Sequence, residues 1–148
     1  MRTLLRDPVS LILVDIDGFK AINDRHGHLS GDKALQMVSR EMTRTFPRKS
    51  DLVARYGGDE FAVILRYATE DDAVRLAEAL AQRLRESELD TESGHIELRA
   101  SIGVTAIEMG ATVSMILQQV DAALYAAKDR GRDRVISYRD LVPGEAAA

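Results

Sequence analysis

The sequence predicts an α+β protein whose mainly antiparallel sheet is flanked by helices. Three observations lead to this fold class: a dense apolar run near the start, a pair of glycines between two apolar runs in mid-chain, and segments of helical periodicity on both sides of that pair. The predicted order is strand, two helices, hairpin, helix, strand, helix, strand. Because a hairpin joins antiparallel strands, this order favours α+β over a doubly wound parallel sheet.

The first part of the chain predicts a buried strand followed by two helices. Residues 9–14 are almost uniformly apolar, which is typical of a strand buried on both faces. A short helix is expected over residues 19–25, closed by Gly27, and a longer one over residues 30–45, stopped by Pro47. The longer helix has a stripe of apolar side chains at helical spacing, namely Leu35, Val38, Met42 and Phe46.

The middle of the chain predicts a β-hairpin with an acidic tip. The pair Gly57-Gly58 separates the apolar runs 52–56 and 61–65, and Asp59-Glu60 follows the glycines directly. A glycine pair between two apolar runs is a strong signal for a hairpin. The two runs are therefore expected to pair as neighbouring antiparallel strands.

The last part of the chain predicts two helices and two strands. Thr69, with Asp72 three residues on, resembles a helix N-cap, and that helix is expected to end before residue 90. The elements that follow are a strand over residues 95–107, a helix with apolar positions from 113 to 127 and its C-cap at Gly131, and a final strand over residues 135–138. The domain core is expected over residues 9–138, with a frayed tail at residues 143–148.

Length and composition restrict the class of protein. A chain of 148 residues with 45% apolar and 30% charged residues fits one folded domain. Its 20 basic and 24 acidic residues give a net charge of −4, so nucleic-acid binding is not expected. The absence of cysteine excludes disulfides and thiolate metal sites. No apolar run approaches the roughly 20 residues of a membrane span, so we expect a cytoplasmic domain without membrane contact.

Acidic residues stand where predicted strands end. Asp15 and Asp17 follow the first strand, and Asp59 and Glu60 form the hairpin tip. If the strands are neighbours in one sheet, Asp15 and Asp59 lie close together, and a cluster of oxygen ligands suits Mg²⁺ with substrate phosphates. The structural alternative is that Asp17 caps a helix and Asp59 forms the turn.

Phosphate binding is a second possibility that the sequence leaves open. Residues 17–20 open a helix, whose free backbone N–H groups can face an anion. Lys128 and Arg132, near the end of the last long helix, could clamp a triphosphate. The alternative is that these two cations only complement the helix dipole.

Two polar groups could recognise guanine. Asn23, His28 and Asp32 lie around the turn between the first two helices, and a carboxylate can accept both N–H groups of the guanine edge. Arg48 and Asp51 flank the start of the hairpin, where an arginine fork can bind the O6/N7 edge. The alternatives are turn and cap formation for the first group and a solvated salt bridge for the second.

Taken together, these segments resemble the GGDEF domain of the diguanylate cyclase family. The signature stands at residues 55–61 as RYGGDEF, with DIDGFKAIND at residues 15–24, Gly27-His28, and Gly31-Asp32. Ser101-Ile102-Gly103 and residues 122–132 match further motifs, so the likeness extends over residues 9–138 in order. The resemblance implies the ferredoxin-like palm fold of that family.

The resemblance also implies a reaction and its residues. Each domain would bind one GTP, and two domains meeting face to face as a homodimer would form cyclic diguanylate. The metal ligands would be Asp15, the Ile16 carbonyl and Asp59, holding two Mg²⁺ or Mn²⁺ ions, with Glu60 and Asp59 as catalytic residues. The substrate-binding residues would be Gly18, Phe19, Lys20, Asn23, His28, Asp32, Gly57, Gly58, Lys128 and Arg132.

An inhibitory site for the product is implied by Arg48 and Asp51. They form an RxxD pair at the position that such a site occupies in many family members, with five residues between Asp51 and Gly57. This placement favours binding of cyclic diguanylate over the salt-bridge interpretation.

Two departures from the family pattern are visible. The usual N-terminal segment, with its Asp-x-Leu-Thr-Gly-Leu and Asn-Arg signature, does not precede residue 9, and we expect its absence to weaken folding or activity. Asp133 stands where Asn often follows Gly-Arg, and is expected to place a negative charge beside the phosphate clamp.

Other functional classes stay open at this level. A catalytically silent domain that binds GTP or cyclic diguanylate would share the same motifs, and a palm domain acting on another nucleotide would need a different base pocket. Control by a fused or separate sensor domain is expected in either case.

Overall fold

The computed structural model describes residues 7–141, and the predicted frayed tail at residues 143–148 lies outside the described residues. Within residues 7–141, no helix has the length and apolar character needed to cross a membrane.

A five-stranded sheet forms the centre of the structure, in the order β2-β3-β1-β6-β7. Its central strand β1 (Val9–Ile16) runs antiparallel to both β3 (Glu60–Arg66) and β6 (Ala100–Ala106). The edge strand β2 (Asp51–Arg55) pairs antiparallel with β3, and β7 (Arg134–Ser137) pairs parallel with β6. The predicted α+β class with a mainly antiparallel sheet is confirmed.

Four α-helices accompany this sheet within the described residues: α1 (Phe19–His26), α2 (His28–Thr45), α3 (Glu70–Glu86) and α4 (Val113–Asp129). The predicted N-cap of α3 is observed, because Thr69 Oγ1 accepts from the Asp72 N–H at 3.1 Å and Asp72 Oδ2 accepts from the Thr69 N–H at 2.9 Å. The helix α2 begins two residues earlier than predicted, since Gly27 (φ 87°) reverses the chain directly into it.

The predicted strand over residues 95–107 is wrong in its first part. Residues up to Ile96 belong to a separate hairpin of β4 (Leu89–Thr91) and β5 (Gly94–Ile96), and only β6 joins the main sheet. The turn at Gly94 (φ 125°), where Thr91 Oγ1 donates to the Gly94 carbonyl at 2.8 Å, pairs these strands locally. The final strand begins one residue earlier than predicted. The C-cap of α4 is Arg130 and not Gly131 as predicted, and Gly131 (φ 118°) follows the cap residue.

The two faces of β1 serve different layers. Ile12, Val14 and Ile16 face the larger core that α2 and α3 cover. Leu11 and Leu13 face α4, where they pack with Val120 and Leu124. Because side chains alternate along a strand, Asp15 continues the second series and lies on the α4 side.

Gly103 on β6 sets how closely α4 approaches the sheet. A Cβ atom built at Gly103 would lie 2.6 Å from the Leu124 nitrogen and 2.7 Å from the Val120 oxygen, which are both backbone atoms of α4. The helix can rest at this height only because no side chain stands there. The position of every residue on α4 relative to β1 depends on this contact.

Gly103→Ala is expected to lower the free energy of unfolding by about 1–3 kcal/mol, because the added methyl group overpacks a rigid contact between β6 and α4. Urea unfolding followed by circular dichroism measures the change. Gly58→Ala is the matched control, since a Cβ atom at Gly58 meets nothing within 4 Å. Equal stability of the two variants would contradict the proposed role of Gly103.

Candidate active site

Two carboxylates meet where β1 and β3 end. Asp15 is buried, at 7% exposure, and its Cα is paired with that of Glu60 across the two strands. The Ile16 N–H donates to the Asp59 carbonyl at 3.1 Å, which ties the hairpin tip to the end of β1. The expectation that Asp15 and Asp59 lie close together is met, because this bond places residue 59 beside the end of β1, and the charge of Asp59 contributes to raising the pKa of Asp15.

Lys128 from the last turn of α4 completes this cluster by forming an ion pair with Asp15 Oδ2. Burial raises the pKa of Asp15 to about 6, the ion pair with Lys128 offsets part of the effect, and repulsion from Asp59 adds to it. The Asp15 carboxylate is therefore held ionised at neutral pH by a cation at a cost in free energy. A stronger cation at the same place would relieve that cost.

The oxygen ligands here fit a divalent cation that also binds phosphate. Within residues 7–141, no three carboxylate, imidazole or thiolate groups converge to form a complete metal site. Mg²⁺ commonly uses one or two carboxylates and completes its shell with water and substrate phosphates. The pair of Asp15 and Asp59, compensated by an ammonium group, matches that pattern of incomplete protein ligation.

Asp17 has a structural role that the sequence does not reveal. Its Oδ1 accepts from Ser101 Oγ at 2.6 Å, and its Oδ2 accepts from the Asp133 N–H at 2.9 Å. The alternative that Asp17 caps α1 is wrong, because the N-cap is Gly18 (φ 65°), without a side-chain capping bond. Asp17 thus links the end of β1 to the turn between α4 and β7.

A depression of about 410 Å³ lies beside Asp32 at the start of α2. Its wall includes three residues that the sequence reasoning missed, Leu35, Gln36 and Arg55. Of these three residues, only Arg55 could have been found from the sequence, because it lies next to the hairpin tip. Its Nε donates to the Gly57 carbonyl at 3.2 Å. The depression combines a carboxylate acceptor with two apolar residues, Leu35 and Phe61, which suits a planar base.

Asn23 packs on Gly31, the residue before Asp32. A Cβ atom at Gly31 would lie 1.8 Å from Asn23 Oδ1, so the carboxamide occupies the space that a side chain would fill. The structure therefore places Asn23 next to the Asp32 end of α2. His28 is exposed at the start of that helix.

The predicted phosphate ligands are only partly brought together. Gly18 and Phe19 lie at the start of α1, shortly after Asp15 in the chain. Lys128 forms an ion pair with Asp15. Lys20 and Arg132 are exposed, and within residues 7–141 neither side chain forms an ion pair. Gly57 and Gly58 are exposed at the hairpin tip.

The expectation that Asp133 leaves a negative charge beside the clamp is wrong. Arg85 Nε on α3 donates to Asp133 Oδ1 at 2.9 Å and to Oδ2 at 3.1 Å, and Arg99 Nε lies 3.8 Å from Oδ2. The charge of the Asp133 carboxylate is therefore compensated by Arg85 and Arg99.

A separate preformed ion pair lies at the other end of β2. Arg48 Nε donates to Asp51 Oδ1 at 3.0 Å, and Arg48 Nη2 donates to the Arg66 carbonyl at 2.8 Å. The Asp51 side chain is only 2% exposed, whereas that of Arg48 is 43% exposed. A depression of about 390 Å³ adjoins the pair and is also lined by Arg75.

Comparison with known proteins assigns this fold and site to a class. The family described as diguanylate cyclase, GGDEF domain, matches residues 2–134. Diguanylate cyclase DosC of Escherichia coli K12 is 41% identical over 129 residues, which cover 86% of this chain and 28% of that protein. The chain thus spans about 28% of the length of that curated relative.

Two solved structures resemble the chain closely. The GGDEF domain of DgcB from Caulobacter crescentus, in complex with c-di-GMP, gives a TM-score of 0.84 at 30% identity, covering 89% of this chain and 78% of that one. The active GGEEF domain of a Vibrio cholerae diguanylate cyclase gives 0.82 at 36% identity, covering 93% and 86%. The chain belongs to the GGDEF domain family of diguanylate cyclases. Membership implies a general requirement for a divalent metal.

Asp15→Asn is expected to raise the unfolding temperature of the metal-free protein at pH 7.5. The folded pKa of about 6 exceeds the ordinary value of 3.8, so the free energy of unfolding falls as pH rises between these values, and the amide escapes this loss. The gain should disappear below about pH 3, where the carboxyl is protonated in both states.

Thermal unfolding in a chelating buffer measures this effect, with Asp24→Asn, an exposed acid on α1, as the control. Lys128 loses its partner in Asp15→Asn, but its side chain is 35% exposed and can be hydrated. An unchanged or lower unfolding temperature at pH 7.5 would contradict the assigned cost of ionising Asp15.

Proposed function

We propose that this domain condenses two GTP molecules into cyclic diguanylate and two pyrophosphates. The 3′-oxygen of each nucleotide forms a bond to the α-phosphorus of the other, the bond from that phosphorus to the β-phosphate bridge breaks, and pyrophosphate leaves. Each attacking hydroxyl loses one proton. Family membership and the matching curated cyclases support the reaction, and the chain's own acid cluster supports its location.

The observation that carries the proposal is the buried Asp15 carboxylate facing Asp59 under Lys128. Asp15, the Ile16 carbonyl and Asp59 would hold two Mg²⁺ or Mn²⁺ ions, with Glu60 beside them as ligand or base. Such ions, when bound, neutralise phosphate charge and lower the pKa of the attacking hydroxyl. Lys128 would exchange its contact with Asp15 for a phosphate oxygen.

The remaining subsites take the rest of the nucleotide. Asp32 would accept the N–H groups of guanine in the depression at the start of α2, with Asn23 and His28 at the same end. The backbone of residues 18–20, the exposed tip Gly57-Gly58 and the Arg132 guanidinium would surround the triphosphate.

A homodimer follows from the chemistry of two identical substrates. One domain offers one Asp15–Asp59 cluster and one base depression, so the second GTP has to be presented by a second copy. The site lies at strand ends, with Gly57, Gly58 and Arg132 exposed, which leaves it open to a facing domain. We propose that a sensor domain in the cytoplasm controls this encounter.

Asp59→Ala is expected to abolish synthesis, because it removes one of the two clustered carboxylates. The concentrated protein is incubated with GTP and Mg²⁺, and chromatography measures cyclic diguanylate. Asp121→Ala, an exposed acid on α4, is the matched control and should retain activity.

Product formed by wild type and lost only in Asp59→Ala supports the proposal. A folded wild type that binds GTP and forms no product would instead favour the silent binding module, and a preference for ATP would favour a palm domain acting on another substrate.

We also propose that cyclic diguanylate inhibits the enzyme by binding at Arg48 and Asp51. The support is the preformed pair, in which buried Asp51 orients an exposed guanidinium beside a depression that Arg75 also lines. An arginine held in this way can bind guanine or phosphate with little loss of side-chain entropy. The GGDEF domain of DgcB from C. crescentus, which resembles this chain, was solved in complex with c-di-GMP.

Arg48→Ala is expected to raise the cyclic diguanylate concentration that halves the rate by about tenfold or more, the equivalent of one charge-assisted contact, while the initial rate stays unchanged. Rates with added product measure it, and the neighbouring Lys49→Ala serves as control. Arg48→Lys keeps a cation beside buried Asp51 and guards against misfolding. Unaltered inhibition in both Arg48 variants would contradict the site.

A further inference from the structure

The turn between α4 and β7 is held in an unfavourable backbone conformation. Gly131, Arg132 and Asp133 all have positive φ angles, of 118°, 64° and 49°. Such angles are unfavourable for a non-glycine residue, so surrounding contacts have to fix them. Within residues 7–141, Tyr67 is the only other non-glycine residue with a positive φ.

The contacts that fix this turn converge on Asp133. The Asp133 N–H donates to Asp17 Oδ2 at 2.9 Å, and Asp17 is itself held by buried Ser101. On its other side, the Asp133 carboxylate accepts two bonds from Arg85 Nε, and Arg85 Nη2 donates to the Asp133 carbonyl at 3.3 Å. The turn is thus fastened both to the end of β1 and to α3.

Arg132 lies between these fastened points. Its N–H donates to the Ala127 carbonyl at 2.9 Å, and its carbonyl accepts from Arg134 Nε at 2.9 Å, so both flanks of its peptide unit are fixed. Its guanidinium is exposed and forms no ion pair within residues 7–141. The backbone direction at Arg132, and hence the region that its side chain can reach, follows from the geometry of Asp133.

We propose that Asp133 and Arg85 are positioning residues that aim Arg132 at the β- and γ-phosphates of the bound nucleotide. This inference rests on the proposed function, in which Arg132 contacts the triphosphate. Asp133 and Arg85 touch no substrate themselves. Their pairing fixes the turn, and the shared link through Asp17 sets the position of that turn relative to Asp15, two residues earlier on the chain.

Asp133→Gly separates positioning from backbone strain. Glycine adopts a φ of 49° without strain and retains the N–H that donates to Asp17. Only the carboxylate contacts with Arg85 and Arg99 are lost, while the bond from Arg85 Nη2 to the backbone carbonyl of residue 133 remains. We expect an unfolding temperature close to that of wild type. Asp133→Asn keeps one side-chain oxygen for Arg85, and asparagine tolerates the left-handed backbone conformation. This variant should therefore retain most of the affinity for the nucleotide.

The test measures nucleotide binding by calorimetry in the presence of Mg²⁺. The probes are the α,β-methylene analogue of GTP, whose bridging carbon prevents loss of pyrophosphate, and GMP, which lacks the β- and γ-phosphates. Asp133→Gly and Arg85→Gln should each weaken binding of the analogue about tenfold, the equivalent of one charge-assisted hydrogen bond, and leave GMP binding unchanged. The double variant should be no weaker than either single one.

Arg83→Gln, an exposed arginine on the same helix, is the matched control and should bind both probes like wild type. The inference is overturned if Asp133→Gly binds the analogue like wild type, if GMP binding falls equally, or if the two losses add. If the wild type binds the analogue and forms no product, the proposed reaction is refuted. The binding of the analogue and of GMP by the variants then still decides the inference. A wild type that binds no analogue would refute both.

Discussion

The ion pair between Lys128 and buried Asp15 is the interaction on which the site depends. A carboxylate at 7% exposure needs a cation or a proton. The residues paired with Asp15 on the adjacent strands, Glu60 and Ser101, carry no positive charge. The cation comes from α4, whose height above the sheet is set by the missing side chain at Gly103. Packing and electrostatics are therefore one constraint here, because any movement of α4 also moves the group that compensates Asp15.

Carboxylates near the ends of the strands differ in the groups that surround them. Asp15 faces another carboxylate and an ammonium group, whereas Asp17 accepts a hydroxyl and a backbone N–H. Glu70 resembles Asp17, since it accepts from the Ala106 N–H at 3.2 Å and from Ser137 Oγ, joining α3 to the ends of β6 and β7. Asp15 and Asp17, two residues apart in the sequence, thus lie in different environments, which are decided by the groups around them.

Local signals in the sequence were sufficient for much of the fold. The glycine pair predicted the hairpin, and the spacing of Thr69 and Asp72 predicted the start of α3, because both depend on residues within one turn. The β4–β5 hairpin was missed because residues 95–107 were predicted as one strand, whereas residues 94–96 pair locally with residues 89–91. The bonds of Asp17 with Ser101 and of Arg85 with Asp133 join residues 84 and 48 positions apart, which no local pattern encodes.

Lys128 and Asp15 differ in exposure, and this difference decides which of the two side chains can leave the ion pair. The Asp15 side chain is 9% exposed and fixed at a strand end, whereas that of Lys128 is 35% exposed and ends a flexible stem. When a phosphate and its cation arrive in the proposed reaction, the ammonium group can turn outward, while the carboxylate cannot leave. A divalent cation held by Asp15 and Asp59 would compensate the Asp15 carboxylate in place of Lys128, whose ammonium group would then be free to contact the phosphate. The Lys128 ammonium group thus reduces the cost of the buried carboxylate in the unliganded fold, and in the proposed reaction it is available to the phosphate.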